Sequence, residues 1–598
     1  MLDITRGWLP FLAQDAPDTA SPLETARAEL RGTGVLADVD GAMPRDAYEI
    51  RGDRVTGGSV GVLYGAYALL MARTLGEPCP EGLRQPYFAD RMLNCWDNMD
   101  GSIERGYAGP SLWFRDGRID YEPRRLRRLA RLLASVGLNV LCVNNVNVRE
   151  PAQELIGAML PDLARLAALF RGYGIRLMVS IDFSQPLRDG LPTADPLDGE
   201  VQRWWAHRAD TVWAAIPDLA GFLVKADSEH RPGPFSYGRT HAEGANMLAR
   251  AVAPHGGLLV WRAFVYNCMQ DWRDHSVDRP CAAWDTYHPL DGRFDGNVLL
   301  QVKNGPYDFQ VREPVSPLLL GMEKTRLALE FQLTQEYTGH QIDLYAMPPM
   351  WREVLAQAVP ERLSAMAAVS NLGRSPFFTG HPFALVNLFG FGLLCWDPSL
   401  SPEEIIRRWC RLSYGQEGAL AELLLESRRV YELYTSPLGL CWMVNPQGHY
   451  GPSPGGYEFS LWGTYHRADR EAVGIDRTSA GTGYTLQYPE PLRSLYEHRE
   501  TCPEELLLFF HRVGYRDRLR DGRTLIQRIY DDHFEGLART EAMAETLRGL
   551  SLPEDDRAEA LRRMELQLDN AREWCDVINT FFHRYSGVPD ARGRKIWP

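Results

Sequence analysis

The chain has 598 residues, of which 45% are hydrophobic and 24% charged, and this composition is typical of a globular protein with two or three domains. Its formal net charge of -13 argues against nucleic acid or an anionic membrane as a partner, since both require a basic surface. No apolar run reaches the roughly 20 residues of a membrane-spanning helix, and no export signal is visible, so we expect a cytoplasmic protein.

The cysteine pattern indicates reduced thiols. The ten cysteines are scattered along the chain, with no CxxC pair and no paired spacing with histidine. Such cysteines are typical of buried thiols in a reducing compartment. Because no segment offers two neighbouring His or Cys ligands, the sequence predicts no metal site.

Residues 1–85 are predicted to form a small α/β domain. Helical patterns lie at 23–30 and 59–75, with a strand near 48–51 between them. The segment that follows, GEPCPEGLRQPYF, contains three prolines and two glycines and is predicted to be a linker.

Eight apolar runs between residues 86 and 410 predict the strands of a catalytic barrel. They alternate with helical patterns such as 123–136 and 152–172, and this alternation implies parallel strands. Eight such units are typical of a (β/α)8 TIM barrel. The runs are residues 91–98, 137–147, 174–183, 221–229, 257–267, 296–308, 327–339 and 363–373.

Carboxylates at the ends of three of these strands are the candidate catalytic groups. Glu229, Asp308 and Glu336 follow strands four, six and seven, and the carboxyl ends of TIM-barrel strands build the active site. Hydrolysis of a glycosidic bond needs one acid for the leaving oxygen and one base for the attacking water. We assign Glu229 as the acid and the other two as base candidates. The alternative for each residue is an ion pair with a neighbouring Lys or Arg.

Cations on adjacent strands of the same face predict an anionic substrate. Lys225, Arg262 and Lys303 follow strands four, five and six, where they could hold the carboxylate of an acidic sugar. The alternative is that they only balance the catalytic carboxylates. Among the sixteen tryptophans, Trp96 in the loop after the first strand is the candidate for sugar stacking.

Residues 411–598 are predicted to form a mainly helical C-terminal domain, with helices at 417–433, 503–513, 524–550 and 555–585. Between them, residues 448–478 form an aromatic and histidine-rich loop region that is too long for a plain connection. We interpret His449, His466 and His511 as mainly structural.

Several long motifs resemble the α-glucuronidases of glycoside hydrolase family 67. The resemblance spans about residues 48–590. The motifs are RMLNCWDNMDGSIERGYAG, NNVNV, TADPLD, GFLVKADSEHRPGP, YGRTHAEGANMLA, KNGPYDFQVREP and LEFQLTQEYTG, followed by PLGL, HYGP, YHRAD, GIDRT and GRTL.

This resemblance implies an inverting enzyme that removes α-1,2-linked glucuronic acid, or its 4-O-methyl ether, from the non-reducing-end xylose of xylo-oligosaccharides. It implies Glu229 as general acid, and the base function on Asp308 and Glu336. It implies that the uronic carboxylate is bound by Lys225, Arg262 and Lys303, and that Trp96 packs against the sugar. It also implies a homodimer through the helical C-terminal region, an aldouronic acid oligosaccharide as substrate, and no metal or organic cofactor.

The chain departs from the family pattern at five positions. The family usually has His at Cys95, Asn at Asp227, Gly at His230, and a Trp-Asp pair at Tyr515 and Arg516. Two alternatives stay open: the same machinery acting on another acidic sugar, and a binding protein that keeps the fold without catalysis.

Overall fold

The computed structural model describes residues 8, 15–264, 278–458 and 465–597, and its N-terminal unit pairs three short strands with two helices. The elements are α1 (Pro22–Glu29), β1 (Leu36–Val39), β2 (Tyr48–Arg51), β3 (Arg54–Gly57) and α2 (Gly61–Leu75). β3 lies between β1, which is parallel to it, and β2, which is antiparallel. Of these three strands only β2 is predicted by the sequence.

Eight parallel strands form a closed barrel, which confirms the predicted fold class. They are β4 (Asp90–Cys95), β7 (Val140–Cys142), β8 (Arg176–Ser180), β9 (Gly221–Val224), β10 (Leu258–Arg262), β11 (Val298–Lys303), β12 (Leu327–Gln332) and β13 (Leu363–Ser370). Seven strands fall within one predicted run each, and β4 begins one residue before its run. Residues 265–267 of the fifth run lie outside the described residues. Every residue of β4, β9, β11 and β12 is buried, as expected for strands covered on both faces.

The barrel interior is apolar in its middle layer and polar towards the carboxyl ends of the strands. Small and aliphatic side chains from all eight strands form one cluster, which includes Met178, Leu223 and Leu299. Towards the carboxyl ends of the strands, Arg262 and Glu330 take the place of such residues and are both buried. The apolar layer is therefore the support, and the polar layer is the floor of the barrel mouth.

Helices cover the barrel wall and follow the predicted alternation. A two-stranded hairpin, β5 (Phe114–Arg115) and β6 (Arg118–Ile119), precedes the first of them. The helices are α3 (Pro123–Ser135), α4 (Leu160–Arg171), α5 (Gln185–Arg188), α6 (Gly199–Ala215), α7 (His241–Val252), α8 (Ala282–Tyr287), α9 (Leu318–Gly321), α10 (Pro348–Ala358) and α11 (Leu385–Trp396). In α3, Leu126, Leu129 and Leu133 are buried, which gives the helix an apolar face for the barrel.

Long helices dominate the C-terminal part. They are α12 (Pro402–Tyr414), α13 (Ala419–Thr435), α14 (Leu492–Glu497), α15 (Leu507–Phe510), α16 (Leu525–Gly549) and α17 (Glu554–Ser586), and the short strands β14 (Ala472–Val473) and β15 (Val513–Gly514) pair with each other. The predicted division at residue 410 falls inside α12 and stays a prediction. No helix in the described ranges is both long and apolar enough to cross a bilayer.

The helix predicted over 503–513 is wrong. This segment contains a three-residue 3-10 turn, the four-residue α15 and the strand β15. All four residues of α15 are buried, and an apolar run that is buried on every side carries no periodicity from which a helix length can be read.

Candidate active site

One cavity of about 190 Å³ opens at the carboxyl ends of the barrel strands, and all seven predicted site residues line it. These residues are Trp96, Lys225, Glu229, Arg262, Lys303, Asp308 and Glu336. They come from loops after β4, β9, β11 and β12 and from the last residues of β10 and β11. The barrel therefore brings together groups that lie up to 240 positions apart in the sequence.

Arg262 is fixed to the cavity floor by Glu330, a residue that the sequence analysis does not single out. Its Nε donates to Oε2 of Glu330 at 2.9 Å and its Nη2 donates to Oε1 at 2.6 Å. Gln301 donates to the same carboxylate at 2.6 Å. Because Glu330 occupies the Nε and Nη2 side of the guanidinium, an anion in the cavity would meet the Nη1 end.

Lys225 and Glu229 form an ion pair at the cavity wall. Lys225 also donates to Oδ1 of Asn147 at 3.0 Å. Burial and the positive charges of Arg262 and Lys303 hold the pKa of Lys225 well below its usual value. The Glu229 side chain is 30% exposed, so it is the most accessible of the three predicted carboxylates.

Asp308 lies between two cations. Its Oδ1 accepts a hydrogen bond from Lys303, and its Oδ2 is 3.7 Å from Nη2 of Arg279. Burial opposes ionisation of Asp308, but these two positive charges hold its pKa below the ordinary range. Burial also lowers the pKa of Lys303, to about 8, and the Lys303 ammonium stands 3.2 Å from the ring centroid of Phe264.

Glu336 is held by three donors. Its Oε1 lies 2.7 Å from Nε of Arg105 and 2.8 Å from Nδ1 of His449, and its Oε2 accepts from Gln332 at 3.0 Å. Burial alone would raise the pKa of Glu336, but the hydrogen bond from His449 and the charge of Arg105 lower it. His449 stacks on Tyr337 at 4.6 Å, so its orientation is fixed. The interpretation of the three histidines as mainly structural does not anticipate this contact.

Left-handed backbone conformations flank each of the three predicted carboxylates. Glu229 has φ 48°, Phe309 beside Asp308 has φ 58°, and Gln335 beside Glu336 has φ 63°. A residue other than glycine in this region costs on the order of 1–3 kcal/mol, and such strain concentrates at functional sites. This clustering is independent of the charges and supports a functional role for the same three positions.

Aromatic side chains close the cavity. Trp96 from the barrel and Trp442, Tyr337 and Tyr457 line it, and each is less than a tenth exposed. The guanidinium of Arg262 lies 5.9 Å from the ring centroid of Trp96. Trp96 therefore lines the cavity, whereas its stacking on a sugar stays a prediction.

Several lining residues outside the predicted set belong to the family motifs. Glu104 and Arg105 belong to the motif SIERGYAG, and His449 belongs to HYGP. Glu104 accepts from Asn145 at 2.7 Å. Arg279 and Trp442 lie in no quoted motif, and only the tertiary fold brings them to the cavity.

The five departures from the family pattern lie in different places. Cys95 and Tyr515 are buried, and His230 and Arg516 are exposed. None of these four lines the cavity in the described part of the chain. Asp227 also lies outside the lining, and burial raises its pKa to about 6. The changes at His230 and Arg516 therefore add no side chain to the lining that the structure describes.

Comparison with known proteins gives matches over most of the chain. Residues 79–375 match the glycosyl hydrolase family 67 middle domain, and residues 379–595 match the C-terminus of the same family. Probable alpha-glucuronidase A of Neosartorya fischeri is 42% identical over 564 residues, which cover 89% of this chain and 67% of that protein. Alpha-glucuronidase A of Aspergillus tubingensis is 41% identical over 566 residues, with the same coverage of both chains.

A solved structure supports the fold alone. A GH138 enzyme targeting pectin rhamnogalacturonan II superposes with a TM-score of 0.51 at 13% identity, covering 94% of this chain and 68% of that chain.

The two family matches together span more than half of the chain, and they confirm the resemblance inferred from the motifs. The chain therefore belongs to glycosyl hydrolase family 67 and is a glycosidase of the α-glucuronidase class.

Proposed function

We propose that the enzyme removes α-1,2-linked glucuronic acid, or its 4-O-methyl ether, from the non-reducing-end xylose of xylo-oligosaccharides, with inversion at the anomeric carbon. The observation that carries this proposal is a cavity in which Glu229, Asp308 and Glu336 meet five cations. One of them is Arg105, and the other four, each less than a tenth exposed, are Lys225, Arg262, Arg279 and Lys303. A volume of about 190 Å³ suits one terminal sugar better than a chain threading through.

The charge balance of the cavity favours an acidic sugar. Burial lowers the pKa of Lys225 most, and the positive charges of Arg262 and Lys303 lower it further, so the cations of the cavity repel one another. A uronate placed among these groups would relieve that repulsion and would be held by charge-assisted hydrogen bonds. A neutral glycoside would leave the repulsion among the cations in place. Discrimination between the two substrates follows from the same groups.

The different environments of the three carboxylates divide the catalytic roles. Asp308 and Glu336 are buried beside cations that lower the pKa of each, so both are ionised near neutral pH and suit the base function. Glu229 lines the same cavity and is more accessible, which suits contact with the leaving group. In the proposed reaction Lys225 turns from Glu229 to the bound uronate, so that Glu229 takes up a proton and gives it to the glycosidic oxygen. Asp308 and Glu336 together take one proton from the attacking water.

The two buried carboxylates would share that water. Asp308 acts on the titration of Glu336, so the proton accepted from water belongs to the pair and not to one residue. An inverting enzyme places its acid and base roughly 6.5–9.5 Å apart, on opposite sides of the sugar, to leave room for the water. Glu229 follows β9 and the pair follows β11 and β12, so that β10 separates the acid from the pair around the barrel mouth, which supports such an arrangement.

Removing the acid should affect substrates according to their leaving groups. Glu229→Ala should slow hydrolysis of the natural xylo-oligosaccharide by about 10²- to 10⁴-fold, because the xylose oxygen needs a proton to leave. An aryl α-glucuronide with an acidic phenol needs no such help and should retain far more of its rate. Steady-state kinetics on both substrates measure this difference. Equal losses on the two substrates would contradict the assignment.

Asp308→Ala is the matched control for that experiment. It removes a carboxylate from the same cavity, but the attacking water is needed whatever the leaving group. We therefore expect Asp308→Ala to lose activity on both substrates alike. An aryl glucuronide that Asp308→Ala still hydrolyses at the wild-type rate would count against a base on this residue.

We also propose a homodimer through the C-terminal helices and a cytoplasmic location. Leu566 and Tyr585 on α17 are apolar residues with 42% and 39% exposure, and such residues suit a contact between copies. The cytoplasmic location rests on the cysteines, which are free thiols in the described part of the chain. Molar mass by light scattering and fractionation of cells test these two points.

A further inference from the structure

Arg477 is a fully buried arginine in the GIDRT motif, and its guanidinium ties together three separate segments. Nε and Nη2 donate to the two oxygens of Asp278 at 2.7 and 3.0 Å. Nη2 also donates to the hydroxyl of Tyr307, and Nη1 donates to the carbonyl of Phe509 at 2.5 Å. The guanidinium also lies over the ring of Tyr307, with its central carbon 5.2 Å from the ring centroid.

The two side chains that Arg477 grips are direct sequence neighbours of two cavity residues. Asp278 precedes Arg279, and Tyr307 precedes Asp308. Arg279 and Asp308 in turn face each other across 3.7 Å. One guanidinium outside the cavity is thus connected to both members of an ion pair inside it.

We propose that Arg477 is a positioning residue of the enzyme, which sets where Arg279 and Asp308 stand relative to each other and to the bound sugar. This inference rests on the proposed role of Asp308 in activating water. A buried bidentate pair with Asp278 suits this task, because its planar geometry allows one arrangement and its low exposure keeps water out. The hydroxyl of Thr482 donates to Oδ2 of Asp278 at 2.9 Å and supports the same arrangement.

The separation of Arg279 and Asp308 makes this arrangement sensitive. At 3.7 Å the two charges attract without a tight hydrogen bond, so a small shift of either loop changes their interaction. Burial raises the pKa of Asp308, and the charges of Lys303 and Arg279 lower it. If the pair moves apart, the pKa of Asp308 rises. The Asp308 carboxylate is then protonated at a higher pH, so the acid limb of the pH profile of kcat moves to higher pH.

Arg477→Lys tests the proposal, with Arg131→Lys as the matched control. Both arginines make buried bidentate pairs, but the pair of Arg131 with Glu29 joins α3 to α1 away from the cavity. For Arg477→Lys we expect kcat to fall about 10- to 100-fold, KM to stay within about twofold, and the acid limb to move to higher pH. For Arg131→Lys we expect a lower melting temperature with wild-type kcat and pH profile. Matching profiles in the two variants would overturn the proposal.

Tyr307→Phe is the second variant, in case Arg477→Lys fails to fold. It removes only the hydroxyl that Arg477 contacts, so we expect a smaller loss of kcat and a shift of the acid limb in the same direction. An unchanged profile in Tyr307→Phe would overturn the proposal. Asp308→Asn separates this failure from that of the proposed function. An active Asp308→Asn refutes the role of Asp308, whereas an inactive one beside a wild-type-like Arg477→Lys refutes only the positioning by Arg477.

Discussion

Glu336 shows how single contacts determine the chemistry of the site. The residue is 5% exposed, and burial of that kind keeps most carboxyl groups protonated. Arg105 and His449 reverse the effect because both donate to the same oxygen, Oε1, and leave Oε2 for Gln332. Glu336 is therefore a carboxylate in a water-poor cavity, which is the form that a general base requires.

The hydrogen bond from His449 gives a prediction on pH dependence. His449→Phe keeps a ring on Tyr337 but removes the donor, so the pKa of Glu336 should rise. A carboxylate with a raised pKa is lost earlier as the pH falls, and the acid limb of kcat should move to higher pH. His449→Gln, which retains a donor, should restore part of the difference. The measurement is the pH profile of kcat, and superimposable profiles of His449→Phe and the wild type would contradict the role.

The pairing of β10 with β11 and of β11 with β12 fixes the cavity floor. Arg262 on β10 and Glu330 on β12 both stand next to residues of β11, and Lys303 faces Glu330 in the register of β11 and β12. Parallel strands in this register place side chains of neighbouring strands at one level of the barrel. The Arg262–Glu330 pair is thus part of the barrel and part of the site at once.

This dual role predicts separable effects on stability and specificity. Arg262→Met leaves the carboxylate of Glu330 buried without its partner and should lower the free energy of unfolding by about 3–5 kcal/mol. The double variant Arg262→Met with Glu330→Gln should regain most of that stability. Both variants should lose the preference for glucuronic acid over glucose as competing inhibitors. Denaturant unfolding and inhibition constants measure the two effects, and a double variant that regains the preference would argue against Arg262 as a carboxylate contact.

The sequence predicts the barrel well because its strands are continuous apolar runs that end in charge. The run at 327–332 contains Glu330, yet no sequence signal distinguishes this buried glutamate from a strand residue facing solvent. His449 and Trp442 are missed for another reason. They belong to loops without periodicity, and the position of such a loop follows from tertiary packing. The helix predicted over residues 503–513 is wrong for a similar reason, since the four residues of α15 are all buried and show no periodicity.

The C-terminal part of the chain completes the cavity that the barrel begins. Trp442, His449 and Tyr457 line it together with the barrel residues. Asp343, in a loop after β12, anchors this part. It accepts from Tyr434 on α13 at 2.9 Å, from Tyr450 at 2.8 Å and from Asn570 on α17 at 2.6 Å. Barrel and helical part therefore form one catalytic unit, and neither has the full set of lining residues alone.

Proton NMR of the first sugar released from an aldouronic xylo-oligosaccharide tests the central claim most directly. The claim is that water, activated by Asp308 and Glu336, attacks a uronate whose leaving oxygen is protonated by Glu229 from the other side. One inverting step on an α-linked substrate must first give β-glucuronic acid, and the α-anomer appears later by mutarotation. The β-anomer in the earliest spectra is the expected result. The α-anomer appearing first would contradict the mechanism.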